Sequence, residues 1–343
     1  MKIGIRVDAN ELIATGHVMR CLAIADGLKK IGEKAVFISA DCFSQSLIEQ
    51  RGYEFFPLES DWRHMEDEIE RLLKIIDWYK IGVLLVDSYC VTKFYFMRLQ
   101  GRIKIAYIDD FGTDIYDVNT IICYANYYEK LALRTKYSKK VDLLQGTDYV
   151  PLRHEFSYFP QKVISPEIKN LLVLSGGTDQ YNFLWDFSKM IVNSLLYKSL
   201  ENIYIICGKY YDNYAALTRK FAKVPKLNFC KAVDNIEYYM FSADVAISAA
   251  GVTSYELCAV GVPTIIYTMA DNQVENAESF HKDGIMEYVG DVRTEPVIDK
   301  IIGLLQNKYQ DYTYRKIVSE AMKRKVDGKG VQRIARHIYE MAQ

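Results

Sequence analysis

Short apolar runs alternate with longer amphipathic ones along this chain. Lys2–Val7 reads as a strand, and Val18–Lys30 as a helix with Leu22, Ala25 and Leu28 on one side. Gly32 ends that helix. Ala35–Ser39 reads as a second strand, and Phe43–Gln50 as a short helix before Gly52. Asp67–Tyr79 places Ile69, Leu72, Leu73 and Ile76 on one helical face. Val83–Val86 and Ile103–Ile108 are compact apolar runs that end at acidic residues, Asp87 and the pair Asp109-Asp110. Ile121–Cys123 reads as the final strand of this half. Strands separated by helices at this spacing predict βαβ units and a parallel sheet.

Between about 126 and 165 the alternation breaks, and Pro151 and Pro160 fall there, with Pro166 just beyond. It resumes with strands at Leu171–Leu174, Ile203–Cys207, Leu227–Phe229, Val245–Ser248 and Thr264–Tyr267. Helices are expected at Tyr211–Ala222, within Val233–Phe241, from Thr253 to Val260, and at about 296–306, 312–325 and 330–341. A chain of 343 residues is too long for one ordinary core. The expected fold class is therefore α/β, with two Rossmann-like domains, residues 1–155 and 156–343, and a central cleft. The break at Asp327-Gly328-Lys329-Gly330 would let the last helix pack back on the first domain.

Half the residues are apolar, a quarter are charged, and the net charge is −1, as in a soluble globular protein. The absence of a dense Lys/Arg face argues against nucleic acid or an anionic membrane as partner. No apolar run is long enough to span a bilayer. The first residues read as a strand rather than a signal peptide. Seven scattered cysteines, no two within four residues, exclude a CxxC site and suggest free thiols in a reducing compartment. The expectation is a cytoplasmic monomer acting on a small molecule, without membrane insertion and without cofactor or metal. The 27 tyrosines are read as core and rim packing before sugar stacking.

Candidate chemistry begins where the first strand meets the first helix. Gly16 lets the backbone approach a ligand, and His17 follows it in the first helical turn. Ligands in α/β sheets bind outside the carboxyl ends of strands. A helix N-terminus there disfavours the imidazolium and so favours a base-competent imidazole. An ordinary first-turn histidine is the competing reading. In the second half, Gly176, Gly177, Thr178 and Asp179 follow a buried strand and suit a phosphate oxygen. Gly251, Thr253 and Ser254 open another helix after a buried strand, a ready anion site with Thr253 or Ser254 as the cap. Glu256, one turn in, could accept hydrogen bonds from two vicinal hydroxyls, or simply complete a capping box. Asp109-Asp110 reads as a strand-end turn before a metal pair.

These pieces together resemble a known family. They are Arg6-Val7-Asp8, Gly16-His17-Val18-Met19-Arg20-Cys21-Leu22-Ala23, Val86-Asp87-Ser88-Tyr89 and Ile108-Asp109-Asp110 in the first half. Leu152-Arg153-His154-Glu155-Phe156, Ser175–Asp179, Ser248–Glu256, Asp271-Asn272-Gln273 with Asn276, and Asp327-Gly328-Lys329-Gly330 follow in order. The second half looks like the nucleotide-binding half of the GT-B sugar-nucleotide enzymes. The whole chain resembles the PseG hydrolases of the pseudaminic acid pathway and their spore-coat relatives, SpsG. The resemblance implies hydrolysis of UDP-2,4-diacetamido-2,4,6-trideoxy-β-L-altropyranose by water, with inversion and release of UDP. It implies His17 as the base and Asp87 as its orienting partner. It implies Arg153 and the loop amides on the diphosphate and Glu256 on the ribose, and Asp8 and Gly16 count among the candidate substrate- or nucleotide-binding residues. Asn272 and Gln273 would reach the substrate, and the loop from Val233 to Ile236 would border the uracil. The alternative is a GT-B glycosyltransferase using a UDP-sugar in surface or spore-coat polysaccharide synthesis, with an acceptor hydroxyl in place of water. Cys90 stands where a glycine is expected after Ser88-Tyr89, and residues 124–145 and the tail beyond 295 look longer than in the compact hydrolases.

Overall fold

The structure, a computed structural model, describes residues 2–10, 13, 15–160 and 162–343. It divides into two compact units, Met1–His154 with Gly328–Gln343, and Glu155–Asp327. In the first unit the elements run β1 (Lys2–Val7), α1 (Gly16–Lys30), β2 (Lys34–Ser39), α2 (Gln45–Gln50), β3 (Glu54–Pro57), α3 (Ile69–Tyr79) and β4 (Ile81–Asp87). They continue with α4 (Lys93–Leu99), β5 (Lys104–Ile108), β6 (Thr120–Cys123), the one-turn helices α5 (Tyr128–Leu131) and α6 (Leu133–Lys136), and β7 (Asp142–Gln145). The seven strands form one sheet in the order β3-β2-β1-β4-β5-β6-β7, every pair parallel.

Buried parallel strands need apolar residues on both faces, and β4 supplies them: Val83, Leu84, Leu85 and Val86 are all fully buried. Amphipathic α3 buries Ile69, Leu72, Leu73 and Ile76, and Lys80 closes it in the left-handed conformation. The strand order reverses between β1 and β4. That switch point opens a crevice at the carboxyl ends of the two strands, immediately before Asp8 and at Asp87.

The second unit contains β8 (Asn170–Leu174), α7 (Phe183–Asn193), β9 (Asn202–Cys207), α8 (Tyr214–Lys220), β10 (Leu227–Lys231), α9 (Ile236–Ser242) and β11 (Val245–Ala249). It continues with α10 (Thr253–Val260), β12 (Thr264–Thr268), α11 (Val274–Lys282), β13 (Glu287–Asp291), α12 (Val297–Gln306) and α13 (Tyr312–Lys325). Its six parallel strands are ordered β10-β9-β8-β11-β12-β13, so the switch point lies between β8 and β11. The chain then returns to the first unit as α14 (Gly330–Ala342). This helix packs on α1 so closely that a Cβ at Gly27 would overlap Val331.

The sheet of the first unit does not end at Ile121–Cys123, as the apolar pattern suggests. One more strand, β7, follows inside the irregular stretch. It is four residues long and has only Leu143 and Leu144 buried, too little to register as a periodic run. The helix expected at Phe43–Gln50 begins at Gln45, and the one expected at Tyr211–Ala222 covers only Tyr214–Lys220.

Candidate active site

At the switch point of the first unit, α1 brings two side chains over the end of β4. His17 and Arg20 are three residues apart on the helix and so share a face. His17 Nδ1 lies 2.6 Å from Asp87 Oδ1. Arg20 grips the same carboxylate with two donors, Nε to Oδ2 at 2.6 Å and Nη2 to Oδ1 at 2.5 Å. Cys21 Sγ adds a weaker donation to Oδ2 at 3.4 Å. Burial alone would lift the Asp87 carboxyl, but Arg20 and then His17 outweigh it and hold it well below the usual carboxylate range. Asp87 therefore only accepts. A contact of 2.6 Å to a pure acceptor places a hydrogen on Nδ1, and in the neutral imidazole the lone pair is then on Nε2. This is the tautomer a general base needs.

Arg20 also reaches the end of β5. Its Nη1 donates to Asp110 Oδ2 at 2.6 Å and to the Tyr124 hydroxyl. Tyr89 donates its hydroxyl to the same Asp110 oxygen at 3.0 Å, and its ring meets His17 edge-on at 4.5 Å. Phe111 lies against the other side of Tyr89, 4.9 Å between centroids. Burial, reinforced by Asp110, raises the Tyr89 phenol above its ordinary value, so it stays protonated. Asp109 turns away from this cluster and accepts from Phe111 N and Gly112 N at 3.1 and 2.8 Å, the strand-end turn read from the sequence.

Asp8 sits beside the cluster, held by structure on both sides. One oxygen accepts from Ala40 N at 2.7 Å, and the other pairs with fully buried Arg6 at 2.6 Å. Arg6 in turn forks onto buried Glu68 with bonds of 2.6 and 2.7 Å, and Ser60 and Tyr95 complete the Glu68 shell. This lattice fixes the loop that carries Trp62. Asp8, Ile13, His17, Trp62, Asp87, Ser88, Tyr89 and Cys90 enclose a cavity of about 20 Å³. That is room for about one water molecule, with His17 and two carboxylates as polar partners. Gly16 is exposed at the start of α1, and nothing lies within 4 Å of where its Cβ would be. Arg153 is half-buried just before the turn His154–Ser157, and it does not line this cavity.

In the second unit the two glycine-bearing turns stand at the ends of β8 and β11, on either side of its switch point. Gly176, Gly177 and Thr178 are exposed. Gly176 has a left-handed φ of 65°. Gly208, at the end of β9, lies so close that a Cβ there would overlap the carbonyl oxygens of Gly176 and Gly177, so the turn needs glycine at 208. Asp179 points inward. It accepts from Ser175 Oγ at 2.6 Å and from Phe183 N and Leu184 N, both at 3.0 Å. It thus caps α7 and shapes the turn, and does not face out as a ligand group.

The cap of α10 differs from the sequence reading. Val252 is its N-cap, with no side-chain cap bond, and neither Thr253 nor Ser254 caps it. Both fall inside the helix, and Ser254 is fully buried. The reason is that the Gly251 and Val252 carbonyls already accept from Ser254 N and Tyr255 N at 3.1 and 3.0 Å. Glu256 is half-buried in the first turn. Gln273 accepts from Met269 N at 3.0 Å, and Asn276 bridges the Tyr255 hydroxyl and the Ala250 carbonyl. Asn272 lies in the short turn Asp271–Gln273, and Val233 is half-buried after β10.

Within the first unit the structure thus joins Asp8, His17 and Asp87. Within the second it places Gly176–Thr178, Gly251 and Glu256 at one switch point. Arg20, Asp110, Tyr124, Tyr89 and Trp62 belong to the His17 cluster and had no role from the pattern alone. Two of them carried a readable signal: Arg20 stands one helical turn after His17, and Asp110 ends the strand beside Asp87.

Residues 171–336 match the glycosyltransferase family 28 C-terminal domain. The spore coat polysaccharide biosynthesis protein SpsG of Bacillus subtilis is 21% identical over 340 residues, 97% of this chain and 96% of that protein. A Helicobacter pylori protein described as pseudaminic acid cytidylyltransferase and UDP-2,4-diacetamido-2,4,6-trideoxy-beta-L-altropyranose hydrolase is 26% identical over 292 residues, 84% of this chain and 48% of its own. The crystal structure of Acinetobacter baumannii MurG superposes with a TM-score of 0.69 at 13% identity, covering 99% of this chain and all (100%) of that one. The chain is thus similar in sequence to the SpsG and Helicobacter proteins, and its fold is GT-B. An uncharacterised protein of Methanocaldococcus jannaschii is 24% identical over 295 residues, 82% of this chain. The chain spans 58% of the archaeal relative and 48% of the Helicobacter one. No helix among the described residues is long and apolar enough to cross a membrane.

Proposed function

We propose that this protein hydrolyses a UDP-activated amino sugar, UDP-2,4-diacetamido-2,4,6-trideoxy-β-L-altropyranose or a close relative. The observation that carries this reading is the His17–Asp87 pair beside a cavity with room for about one water. His17 Nε2 takes a proton from that water as its oxygen bonds to the anomeric carbon. The bond from that carbon to the diphosphate oxygen breaks, and UDP departs with the electron pair. Attack opposite the leaving group inverts the anomeric centre. Asp87 holds the Nδ1 hydrogen and stabilises the imidazolium as it forms. The exposed amides of Gly176 and Gly177 and the start of α10 are suited to the diphosphate, and Glu256 to the ribose hydroxyls.

The relatives support this chemistry. One is described as a hydrolase of that UDP-sugar, and the other takes part in spore coat polysaccharide synthesis. The family 28 match favours a second reading, transfer to an acceptor hydroxyl. The deciding experiment incubates the protein with a panel of UDP-linked dideoxy- and trideoxy-diacetamido sugars, with no acceptor and with EDTA present. The hydrolase releases UDP and free sugar at full rate from one member of the panel. Slow release that an added acceptor accelerates would favour the transferase.

A further inference from the structure

We propose that Arg20 is the positioning residue that keeps His17 unprotonated and ready to act, by balancing the carboxylates of Asp87 and Asp110. The inference rests on the reading of His17 as general base and adds the control of its charge. The guanidinium occupies the centre of the cluster. It bonds both oxygens of Asp87, one oxygen of Asp110 and the Tyr124 hydroxyl, and its Nη2 lies 3.1 Å from His17 Nδ1. It is buried, so solvent screens these contacts little.

The charges around the imidazole can be followed group by group. Asp87 contacts Nδ1 directly and is ionised. Asp110 stands behind it, joined through Arg20 and Tyr89. Tyr89 keeps its phenol proton, and burial raises the Cys21 thiol so that it too stays neutral. Burial likewise raises Cys90, which lines the cavity. Asp8, on the same cavity, is balanced by Arg6 at 2.6 Å. Among the described residues of this cluster, Arg20 is therefore the one cation opposing Asp87 and Asp110. Without it, two carboxylates act on the imidazole unopposed, and both favour the imidazolium. A protonated His17 cannot accept a proton from water.

The test compares wild type with Arg20→Met, Arg20→Lys and Asp110→Asn. The His17 imidazole is titrated by NMR, its signal identified by loss in His17→Asn, and UDP release is followed against pH. In Arg20→Met the pH of imidazole protonation should rise by about 1–3 pH units, the range for losing a nearby opposing charge. The acid limb of the rate profile should move with it, with KM unchanged. Arg20→Lys should restore the limb but not the full kcat, because one ammonium cannot grip both carboxylate oxygens. Asp110→Asn should move the midpoint downward. A midpoint in Arg20→Met equal to wild type overturns the proposal. If that variant does not fold, a midpoint in Asp110→Asn equal to or above wild type overturns it. The titration needs no substrate, so the two ideas fail separately: wild-type turnover by His17→Asn would overturn the general-base reading and leave the electrostatic result standing.

Discussion

One oxygen of Asp87 lies 2.6 Å from His17 Nδ1, and the other oxygen is held by Arg20. The contact fixes which imidazole nitrogen is free. An asparagine at 87 would offer an amide hydrogen to Nδ1 as readily as an oxygen, and the base lone pair would be lost for part of the time. Asp87→Asn should therefore lower kcat by about 10²–10⁴, close to the effect of His17→Asn. UDP affinity should be unchanged in both, because the groups assigned to the nucleotide belong to the second unit. Calorimetry with UDP and initial rates of UDP release separate the two effects. Near-wild-type turnover in Asp87→Asn would show that the tautomer is not what Asp87 supplies.

Glu256 offers a test of the nucleotide side. It is half-buried in the first turn of α10, directly after the turn at Gly251. If its carboxylate holds ribose hydroxyls, Glu256→Ala weakens UDP binding by about 1–3 kcal/mol. The same substitution should leave uridine-free diphosphate binding unchanged. Equal UDP affinity for wild type and variant, measured by calorimetry, would assign Glu256 to the helix terminus alone.

The pattern of apolar residues made most of the architecture legible. β4 and β11 are continuous buried runs, and α12, α13 and α14 keep an apolar face over two turns or more. What it hid were the elements that bury little. β3 and β13 are edge strands with polar or partly exposed residues, and β7 has two buried leucines. The candidate site divides in the same way. His17 and Asp87 were readable because each stands at a strand–helix junction. Asp179 looked like a ligand because its turn is glycine-rich, yet its carboxylate serves the two backbone amides at the start of α7. Ser254 looked like a cap because of its residue type, yet α10 starts at Thr253 as the pattern predicts and Ser254 falls inside the helix, fully buried. The charge balance at Arg20 joins α1, β4 and β5, positions 67 and 90 residues apart in sequence, and no local pattern encodes that meeting.

Lys162 predicts an unusual pH dependence of stability. Its ammonium is buried, donates to the Phe241 carbonyl and lies 5.4 Å from the Phe241 ring centroid. Burial pulls it down to about 8, with Asp244 opposing. An unfolded lysine titrates near ~10.4. Between these values the unfolded chain holds more protons than the folded one, so unfolding free energy rises with pH across that window. Below it both forms are charged and the full cost remains. Lys162→Met removes the buried charge at the loss of one hydrogen bond, worth about 1 kcal/mol. The variant should be more stable than wild type at pH 7 by about 1–2 kcal/mol, and that advantage should shrink by pH 10. Urea unfolding at the two pH values measures both. An advantage that is absent at pH 7, or that grows with pH, would contradict the buried charge.

Trp62 bears on the choice between water and an acceptor. Its side chain is one wall of the small cavity that His17 and Asp87 share, and its loop is anchored at Ser60 through Glu68 and Arg6. A space of about 20 Å³ has room for about one water and offers less to a larger nucleophile such as methanol. Trp62→Ala removes that wall while leaving His17, Asp87 and Arg20 in place. In buffer containing methanol, wild type should release UDP and free sugar with almost no methyl glycoside. The variant should raise the ratio of methyl glycoside to free sugar by about 10-fold or more, the lower end of what one added methylene costs in a closed pocket. Its total rate of UDP release should fall less than that of His17→Asn, since the base is untouched. Product analysis by mass spectrometry reads the ratio directly. If wild type already forms methyl glycoside in proportion to methanol, the cavity does not select the nucleophile. The wall at Trp62 would then have no part in making this site a hydrolase.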